Sequence, residues 1–305
     1  MPDTGAFTLP SVKCLSTVDI ILPMIDDPEH FGRIAANHSL NDIYAGFGRP
    51  HFALAIVGVS SSLEPNSPEV TGMLAAAAVE LKNAGVALIG GHTLSNQGDL
   101  YLGFAIVGTE AASGNTLSVE PGDSIFLTKR LGTSVASVRW KAQLAGAKEH
   151  DDVVSGMLSS NRRASEVAAQ CGVRYCTDVS GFGLLNNLAS IVQRCSGRAR
   201  LNLDRLPSYE SVEAFLGQDE FVTRQYYYNA EAALAALGLD SFSKLRRRAL
   251  WLDSQVSGGL LFVCPASQEE RLTQSMASEE ILVTKIGVLE GGPGPLIELI
   301  EEGEL

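Results

Sequence analysis

The spacing of apolar residues in the first third of the chain alternates between the period of strands and the period of helices. Apolar, β-branched segments predict strands over residues 12–24, 52–59, 86–89 and 101–107. Apolar residues three and four apart predict a helix over 31–45. A second helix is predicted over 68–84, because Ser67 is a favoured N-cap residue and Pro68 suits the first helical position.

The same alternation continues after residues 110–122, a segment rich in Gly, Ser, Pro and Glu that we interpret as a linker. The pattern predicts strands over 124–128, 198–203, 259–263 and 281–288, and helices over 135–145, 153–170, 181–193, 230–237, 242–250 and 268–277. The acidic end from Glu298 is expected to be solvated. Interspersed strands and helices predict a mixed α+β (α/β) fold with two domains, residues 1–115 and 116–305.

Composition and charge narrow the class of protein. The 305 residues include 23 basic and 35 acidic side chains, a net charge of −12, which disfavours a general nucleic-acid binder. The one basic cluster, Lys244 with Arg246, Arg247 and Arg248, is expected to face solvent. No apolar run approaches the roughly 18 residues of a membrane span, and the N-terminus does not resemble a signal peptide. The five cysteines lack metal-ligand spacing. We therefore expect a cytoplasmic protein that binds neither nucleic acid nor membrane.

Four short segments place carboxylates or hydroxyls beside strand ends or glycines. Asp19 and Asp42 could share a hard cation such as Mg²⁺, or could be a solvated loop residue and a helix cap. Residues 90–93, Gly-Gly-His-Thr after a strand, could bind an anion or form an ordinary turn. Asp178, between a strand and a helix, could be a metal ligand or a cap. Residues 253–259 could bind an anion or form a tight entry into the next strand.

The order and spacing of these segments are more specific than any one of them. The chain resembles selenophosphate synthetase (selenide, water dikinase), of the aminoimidazole ribonucleotide synthetase-like superfamily, from about residue 12 to the end. The resemblance rests on Ser16-Thr17-Val18-Asp19, Asp26-Asp27-Pro28, Phe31-Gly32-Arg33-Ile34-Ala35-Ala36-Asn37, Asp42-Ile43-Tyr44-Ala45, Gly90-Gly91-His92-Thr93, Phe126-Leu127-Thr128-Lys129, Thr177-Asp178-Val179-Ser180-Gly181-Phe182-Gly183-Leu184-Leu185 and Ser257-Gly258-Gly259-Leu260-Leu261.

The resemblance implies a two-domain α+β fold whose N-terminal strands form a β-barrel shared between two subunits. It implies an ATP- and Mg²⁺-dependent enzyme that converts ATP, selenide and water to selenophosphate, AMP and phosphate. By motif position, Asp42 and Asp178 would bind the metal, and Asp19 would contact the nucleotide or its metal. The nucleotide would also be contacted from the partner subunit by Gly91, His92 and Thr93.

The family's reactive cysteine or selenocysteine and its lysine lie in a glycine-rich segment ahead of the first matched strand. That strand begins near Met1 here, so we expect this segment to be missing, and the catalytic residues remain unknown. Three hypotheses follow: a selenophosphate synthetase-like phosphotransferase, a catalytically silent homologue that binds or regulates a partner, and a sister ATP-dependent enzyme of the superfamily. The chain is expected to form a homodimer, or a heterodimer with a full-length homologue.

Overall fold

The computed structural model describes residues 5–9, 12–110, 119–195, 197–237, 247–292 and 296–300. The strands are β1 (Gly5–Leu9), β2 (Val12–Ile21), β3 (Gly48–Ser60), β4 (Ala87–Asn96), β5 (Tyr101–Glu110), β6 (Ser124–Thr128), β7 (Tyr175–Asp178), β8 (Arg198–Asn202), β9 (Leu260–Cys264), β10 (Val283–Glu290) and β11 (Ile297–Ile300). The helices are α1 (Pro28–Ala45), α2 (Pro68–Asn83), α3 (Thr133–Lys141), α4 (Asp151–Leu158), α5 (Arg162–Gln170), α6 (Gly183–Cys195), α7 (Arg224–Leu237), α8 (Arg248–Leu252) and α9 (Glu269–Ser278). These elements form a mixed α+β fold, as predicted.

The N-terminal sheet has the strand order β1-β2-β5-β3-β4. Among the described strands of this sheet, only β3 and β4 pair in parallel, and helix α2 makes the connection between them. Helices α1 and α2 contact each other and the sheet. Ser67 caps α2 as predicted, since its side chain accepts a hydrogen bond from the amide of Val70. In the described residues of one chain this sheet is open, and its closure into a shared barrel by a second chain stays a prediction.

The C-terminal sheet has the order β11-β8-β10-β6-β9-β7. Strands β6, β7 and β9 are buried along their whole length. Because β9 runs antiparallel to both neighbours, its start lies beside the ends of β6 and β7. Three connecting segments therefore meet at one edge of the sheet.

The prediction of one helix over residues 153–170 is wrong, since this stretch belongs to two helices, α4 and α5. Contacts that are distant in sequence hold the chain open between them. Lys129 Nζ donates to the carbonyl of Ser159, and the side chain of Asn161 donates to the carbonyl of Gly258. These partners are 30 and 97 residues away, so the helical periodicity of the segment does not reveal the break.

Three further features of the structure were not expected from the sequence. The strand predicted over 86–89 runs on to Asn96, so Gly90 and Gly91 lie within a strand that pairs with β3 rather than in a turn after it. Glu298, the first residue of the acidic segment expected to be solvated, lies in β11, which pairs with β8, with its side chain 42% exposed, and residues 301–305 of that segment lie outside the described part of the chain. Strand β1 was not predicted from the sequence. Its register pairs Gly5 with Ser16 and Leu9 with Val12, which makes a tight antiparallel hairpin with β2.

Some expectations fall outside the described residues. These are the boundary at 115/116, most of the predicted helix over 242–250, and Lys244 and Arg246 of the basic cluster. Arg247 of that cluster pairs with Glu213. Within the described part of the chain, no helix is both long and apolar enough to cross a membrane.

Candidate functional site

The C-terminal side of the site forms where the ends of β6 and β7 meet the turn of residues 257–259 before β9. This turn lies so close to its neighbours that two of its residues must be glycine. A Cβ on Gly258 would lie 2.0 Å from the carbonyl oxygen of Val179, and one on Gly259 would lie 1.8 Å from that of Thr128. The close approach lets the amide of Val179 donate to the carbonyl of Gly259 at 2.9 Å. The three segments thus form one unit.

Asp178 is the last residue of β7, and its position follows from the pairing of that strand with β9. It is buried, with 3% of its surface exposed. Ser180 Oγ donates to its carboxylate at 3.2 Å, and the side chain of Asn187 on α6 donates to its backbone carbonyl at 3.0 Å. These bonds hold the carboxylate at the start of the loop that leads into α6, as the sequence predicted.

Lys129 directly follows β6 and is in the left-handed backbone region, with φ +55°. Its ammonium donates to the carbonyls of Ser159, at 2.6 Å, and Ser257, at 2.9 Å. Burial lowers the pKa of Lys129 to about 7, and the charge of Asp178 opposes that shift. Ser257 is also left-handed, with φ +46°. Two non-glycine residues in this costly conformation therefore contact each other, which is typical of functional sites.

The N-terminal side of the site is formed by β2 and α1. Thr17 Oγ1 donates a hydrogen bond to Asp42 Oδ2, which joins the strand to the helix. Thr17 and Asp19 are two residues apart on β2, and His38 and Asp42 are four residues apart on α1, so both pairs span about 6 to 7 Å. Since Thr17 contacts Asp42, Asp19 lies opposite His38. The electrostatics agree: burial lowers the pKa of His38, the charge of Asp19 raises it, and that of Lys129 lowers it further. The charges of Asp19 and Lys129 therefore both act on His38.

A hydrogen-bonded clasp joins α1 to the turn of residues 257–259. His38 Nδ1 accepts from the amide of Ser257 at 3.1 Å, and Asn41 Nδ2 donates to the carbonyl of Gly258 at 3.3 Å. Asn161 Nδ2 donates to the same carbonyl at 2.7 Å and to Asn41 Oδ1 at 2.9 Å. All five residues are buried or lie in the buried turn. The clasp fixes the N-terminal carboxylates relative to Asp178.

A cavity of about 580 Å³ lies next to the clasp and is lined by residues of both the N-terminal and the C-terminal half of the chain. Asp19 and His38 line it from the N-terminal side, and Ser180 lines it from the loop after β7. Its wall includes the hydroxyl-bearing residues Ser134, Ser137, Ser180, Thr223 and Ser254, and also Lys141. Three of these hydroxyls already donate within the protein, Ser134 to the carbonyl of Ser254, Ser180 to Asp178 and Thr223 to Asp253. Among the described residues, the cavity therefore offers a ligand the hydroxyl of Ser137, the cation of Lys141 and the carboxylate of Asp19, a set suited to a ligand with anionic oxygens.

The side chains of residues 253–259 bond mainly within the protein. Asp253 accepts from the amide of Thr223 at 3.1 Å and from that of Ser254 at 2.9 Å. Burial raises the pKa of Asp253 to about 6, although these hydrogen bonds oppose the shift. Gln255 Oε1 accepts from the amides of Gly132 and Thr133 at 2.9 and 3.1 Å, which caps α3. This segment therefore ties the fold together rather than leaving free donors for an anion.

The structure gathers Asp19, Asp42 and Asp178 around the junction of the two halves but places residues 91–93 elsewhere. In the sheet register, Asp19 pairs with Phe104, Phe104 with Ala55 and Ala55 with Gly91. Three strand spacings, roughly 14 Å, therefore separate Asp19 from Gly91 within one chain. Among the described residues, no group of three or more His, Cys, Asp or Glu side chains is arranged to hold a metal ion.

Sequence reasoning missed three residues that build the site, Lys129, His38 and Asn161, and named Gln255 only as part of the 253–259 segment. Lys129 carried a weak signal, since it follows a predicted strand within one of the quoted motifs. Asn161 carried none, because it lay inside a segment interpreted as helix. The amide side chains of Asn161 and Gln255 act only on backbone groups and side chains distant in sequence.

Comparisons with known proteins agree with this architecture. Residues 2–109 match the family "AIR synthase related protein, N-terminal domain", and residues 120–299 match the corresponding C-terminal domain. A selenide, water dikinase of Carboxydothermus hydrogenoformans is 32% identical and covers 92% of this chain and 81% of its own length. A selenide, water dikinase of Cronobacter sakazakii is 31% identical, with coverages of 93% and 82%.

Solved structures share the fold at lower sequence identity. A thiamine-monophosphate kinase of Stenotrophomonas maltophilia superposes with a TM-score of 0.71 at 18% identity, over 97% of this chain and 91% of its own. The hydrogenase maturation protein HypE in complex with ATP gives 0.70 at 16% identity, over 97% and 83%.

Proposed function

The chain belongs to the AIR synthase-related family, and from that membership we propose that it is a selenide, water dikinase-like phosphotransferase. The reaction would convert ATP, selenide and water to selenophosphate, AMP and phosphate. The observation that carries the proposal is the likeness to the two selenide, water dikinases, which spans more than nine tenths of this chain and four fifths of theirs. We further propose that it acts in the cytoplasm.

The nucleotide phosphates would occupy the cavity between the two halves. The hydroxyl of Ser137 and the cation of Lys141 would supply a donor and positive charge for phosphoryl oxygens. Asp19, the lining carboxylate, would contact the nucleotide or its metal. The complex of HypE with ATP supports nucleotide binding by a fold of this kind.

Asp42 and Asp178 would hold Mg²⁺. The residues fit this ion, because Mg²⁺ in such sites takes one or two carboxylates and completes its shell with phosphate oxygens and waters. Asp42 lies on α1 and Asp178 at the end of β7, two elements in contact with each other. Both carboxylates are buried, and each accepts a hydroxyl hydrogen bond that orients it, from Thr17 and Ser180 respectively. When bound, the ion neutralises negative charge on the phosphates.

The chain's own contribution would be positioning and electrostatics, which dominate phosphoryl transfer. The clasp between α1 and the 257–259 turn holds Asp19 and Asp42 in place against Asp178. Lys129, whose ammonium bonds two carbonyls next to Asp178, balances the charge of the buried carboxylates. The catalytic residue that would attack or carry the acceptor stays unassigned.

Gly91, His92 and Thr93 would reach the nucleotide of a second chain, since they lie far from Asp19 in their own. The surface supports such a dimer: β4 is an edge strand exposed along almost its entire length. The sheet face turned away from α1 carries exposed apolar side chains, including Val18 (58%), Ile20 (50%) and Leu54 (40%). Two such faces would bury each other and close a barrel. The partner that covers this face would be a second copy of the chain or a full-length homologue.

The proposed activity is tested by ³¹P NMR of the protein with Mg-ATP, without oxygen, with and without selenide. Selenophosphate and AMP that form only with selenide would establish the reaction, and Asp178→Asn should abolish it together with Mg²⁺-dependent nucleotide binding. Intact ATP from a folded dimer that still binds nucleotide would instead support a silent homologue. Phosphate transfer to another acceptor would indicate a sister enzyme.

The dimer is tested by light scattering on the wild-type chain and on Ile20→Lys/Leu54→Lys. The wild type should have twice the mass of the chain, and the double variant should be monomeric, because two buried cations would face the partner sheet. A folded wild-type monomer would remove residues 91–93 from the nucleotide site.

A further inference from the structure

His38 has one ring nitrogen that is bonded to the protein and one that is not. Its Nδ1 lies 3.1 Å from the amide nitrogen of Ser257. A backbone amide can only donate, so Nδ1 must be an unprotonated acceptor, and the neutral ring carries its proton on Nε2. The contact therefore sets the tautomer without any assumption about pH.

The protonated edge of His38 opens into the cavity. Nε2 makes no hydrogen bond to any group in the described part of the chain, yet it is not among the buried polar atoms that lack a partner. The side chain is 7% exposed and lines the 580 Å³ cavity. The exposed part of an otherwise enclosed imidazole is thus a fixed N–H donor aimed at the ligand space.

The surroundings select an anionic acceptor for this donor. Ser137 and Lys141 line the same cavity, and Lys129 is near enough to His38 to affect its charge. Asp19 is the carboxylate that lines the cavity beside His38. A group with several acceptor oxygens fits these donors, and a metal bound to its other oxygens would offset the repulsion from Asp19.

We propose that His38 Nε2–H donates a hydrogen bond to a phosphoryl oxygen of the nucleotide in this cavity. The proposal rests on the proposed function for the identity of the ligand, whereas the donor itself is defined by the Ser257 contact and the cavity. His38 is accordingly a binding residue, and its other nitrogen belongs to the clasp.

Two substitutions separate the two ring nitrogens. In His38→Asn the amide oxygen takes the place of Nδ1 and can keep the Ser257 bond, but the donor at Nε2 is lost. In His38→Gln the amide reaches the position of Nε2 and can donate, but the acceptor for Ser257 is displaced. Calorimetric titration with Mg²⁺ and the β,γ-methylene analogue of ATP measures ligand binding, titration with adenosine is the control without phosphate, and urea unfolding measures stability.

For the methylene analogue, the dissociation constant of His38→Asn should rise at least tenfold, because a hydrogen bond to a charged group is lost. That of His38→Gln should stay within about threefold of wild type. Adenosine binding should be equal in all three proteins, and His38→Gln should be the less stable variant. If His38 has a purely structural role, His38→Gln will bind the methylene analogue more weakly than His38→Asn, and this result would overturn the proposal. Wild-type affinity in His38→Asn would also overturn it.

Inorganic tripolyphosphate separates this proposal from the proposed function. Wild-type protein that binds tripolyphosphate but not the methylene analogue would refute nucleotide binding, and the comparison of His38→Asn with His38→Gln would still decide the donor. A folded wild-type protein that binds neither probe would overturn both.

Discussion

Removal of the Asn161 side chain should weaken the clasp between α1 and the 257–259 turn by an amount that the structure defines. Asn161 is 1% exposed, and its Nδ2 donates both to the carbonyl of Gly258 and to Asn41 Oδ1. Asn161→Ala deletes both hydrogen bonds. The residue precedes α5 but makes no side-chain cap bond to that helix, so the effect reports the clasp and not helix capping.

The expected loss of stability depends on which hydrogen bonds the two partners of Asn161 retain in the variant. The carbonyl of Gly258 retains the 3.3 Å bond from Asn41, so its loss is a net hydrogen bond of about 1 kcal/mol. Asn41 Oδ1 is left buried without this donor, which costs about 1–3 kcal/mol. Asn161→Ala should therefore lower the free energy of unfolding by roughly 2–4 kcal/mol.

Urea unfolding followed by circular dichroism measures the change, and a cycle with Asn41→Ala assigns it. Because the two side chains bond each other, the double variant should lose about 1–2 kcal/mol less than the sum of the single variants. Asn83→Ala, at the exposed end of α2, is the matched control and should stay within about 0.5 kcal/mol of wild type. Additive single effects, or a loss for Asn161→Ala no larger than that of the control, would refute the clasp.

Two further predictions concern the same junction. Gly258→Ala should destabilise by at least about 2 kcal/mol, because its Cβ would lie 2.0 Å from the carbonyl of Val179, whereas Gly217→Ala meets nothing within 4 Å and should be nearly neutral in urea unfolding. Asp253 has a pKa raised from 3.8 to about 6, so the folded state binds more protons than the unfolded state between these values. As the pH falls from 6 to 4, wild type should gain up to about 3 kcal/mol relative to Asp253→Asn, and a constant difference across this range would contradict the shift.

Local patterns predicted most of the fold because most elements here satisfy local rules. Helix α2 begins where Ser67 and Pro68 indicate, and the buried strands β6 and β9 are short apolar runs. The secondary-structure predictions fail where contacts distant in sequence determine the local conformation. Residues 159–161 read as helix, but Lys129 and Asn161 hold that segment open. The strand β4 continues through two glycines because pairing with β3 stabilises it.

The candidate site was predictable only in part, for a physical reason. Asp19, Asp42 and Asp178 carry their signal locally, as carboxylates at the ends of elements, and the structure brings them to one junction. The clasp that fixes them has no local sequence signal, since His38 and Asn41 bond to residues of the 257–259 turn that are 219 and 217 positions away in the sequence. Neither residue differs in sequence context from an ordinary buried polar side chain of α1.

The conformational cost at this junction also explains why so many polar groups converge on it. Lys129 and Ser257 both adopt left-handed backbone, which costs about 1–3 kcal/mol for each residue. Such conformations persist only where the surroundings fix them, and here the Lys129 ammonium bonds the Ser257 carbonyl while His38 accepts the Ser257 amide. Both peptide groups of Ser257 are thereby held by side chains from opposite halves of the chain. A ligand that bonds the free edge of His38 would add to this restraint, so ligand binding should stabilise the contact between the two halves.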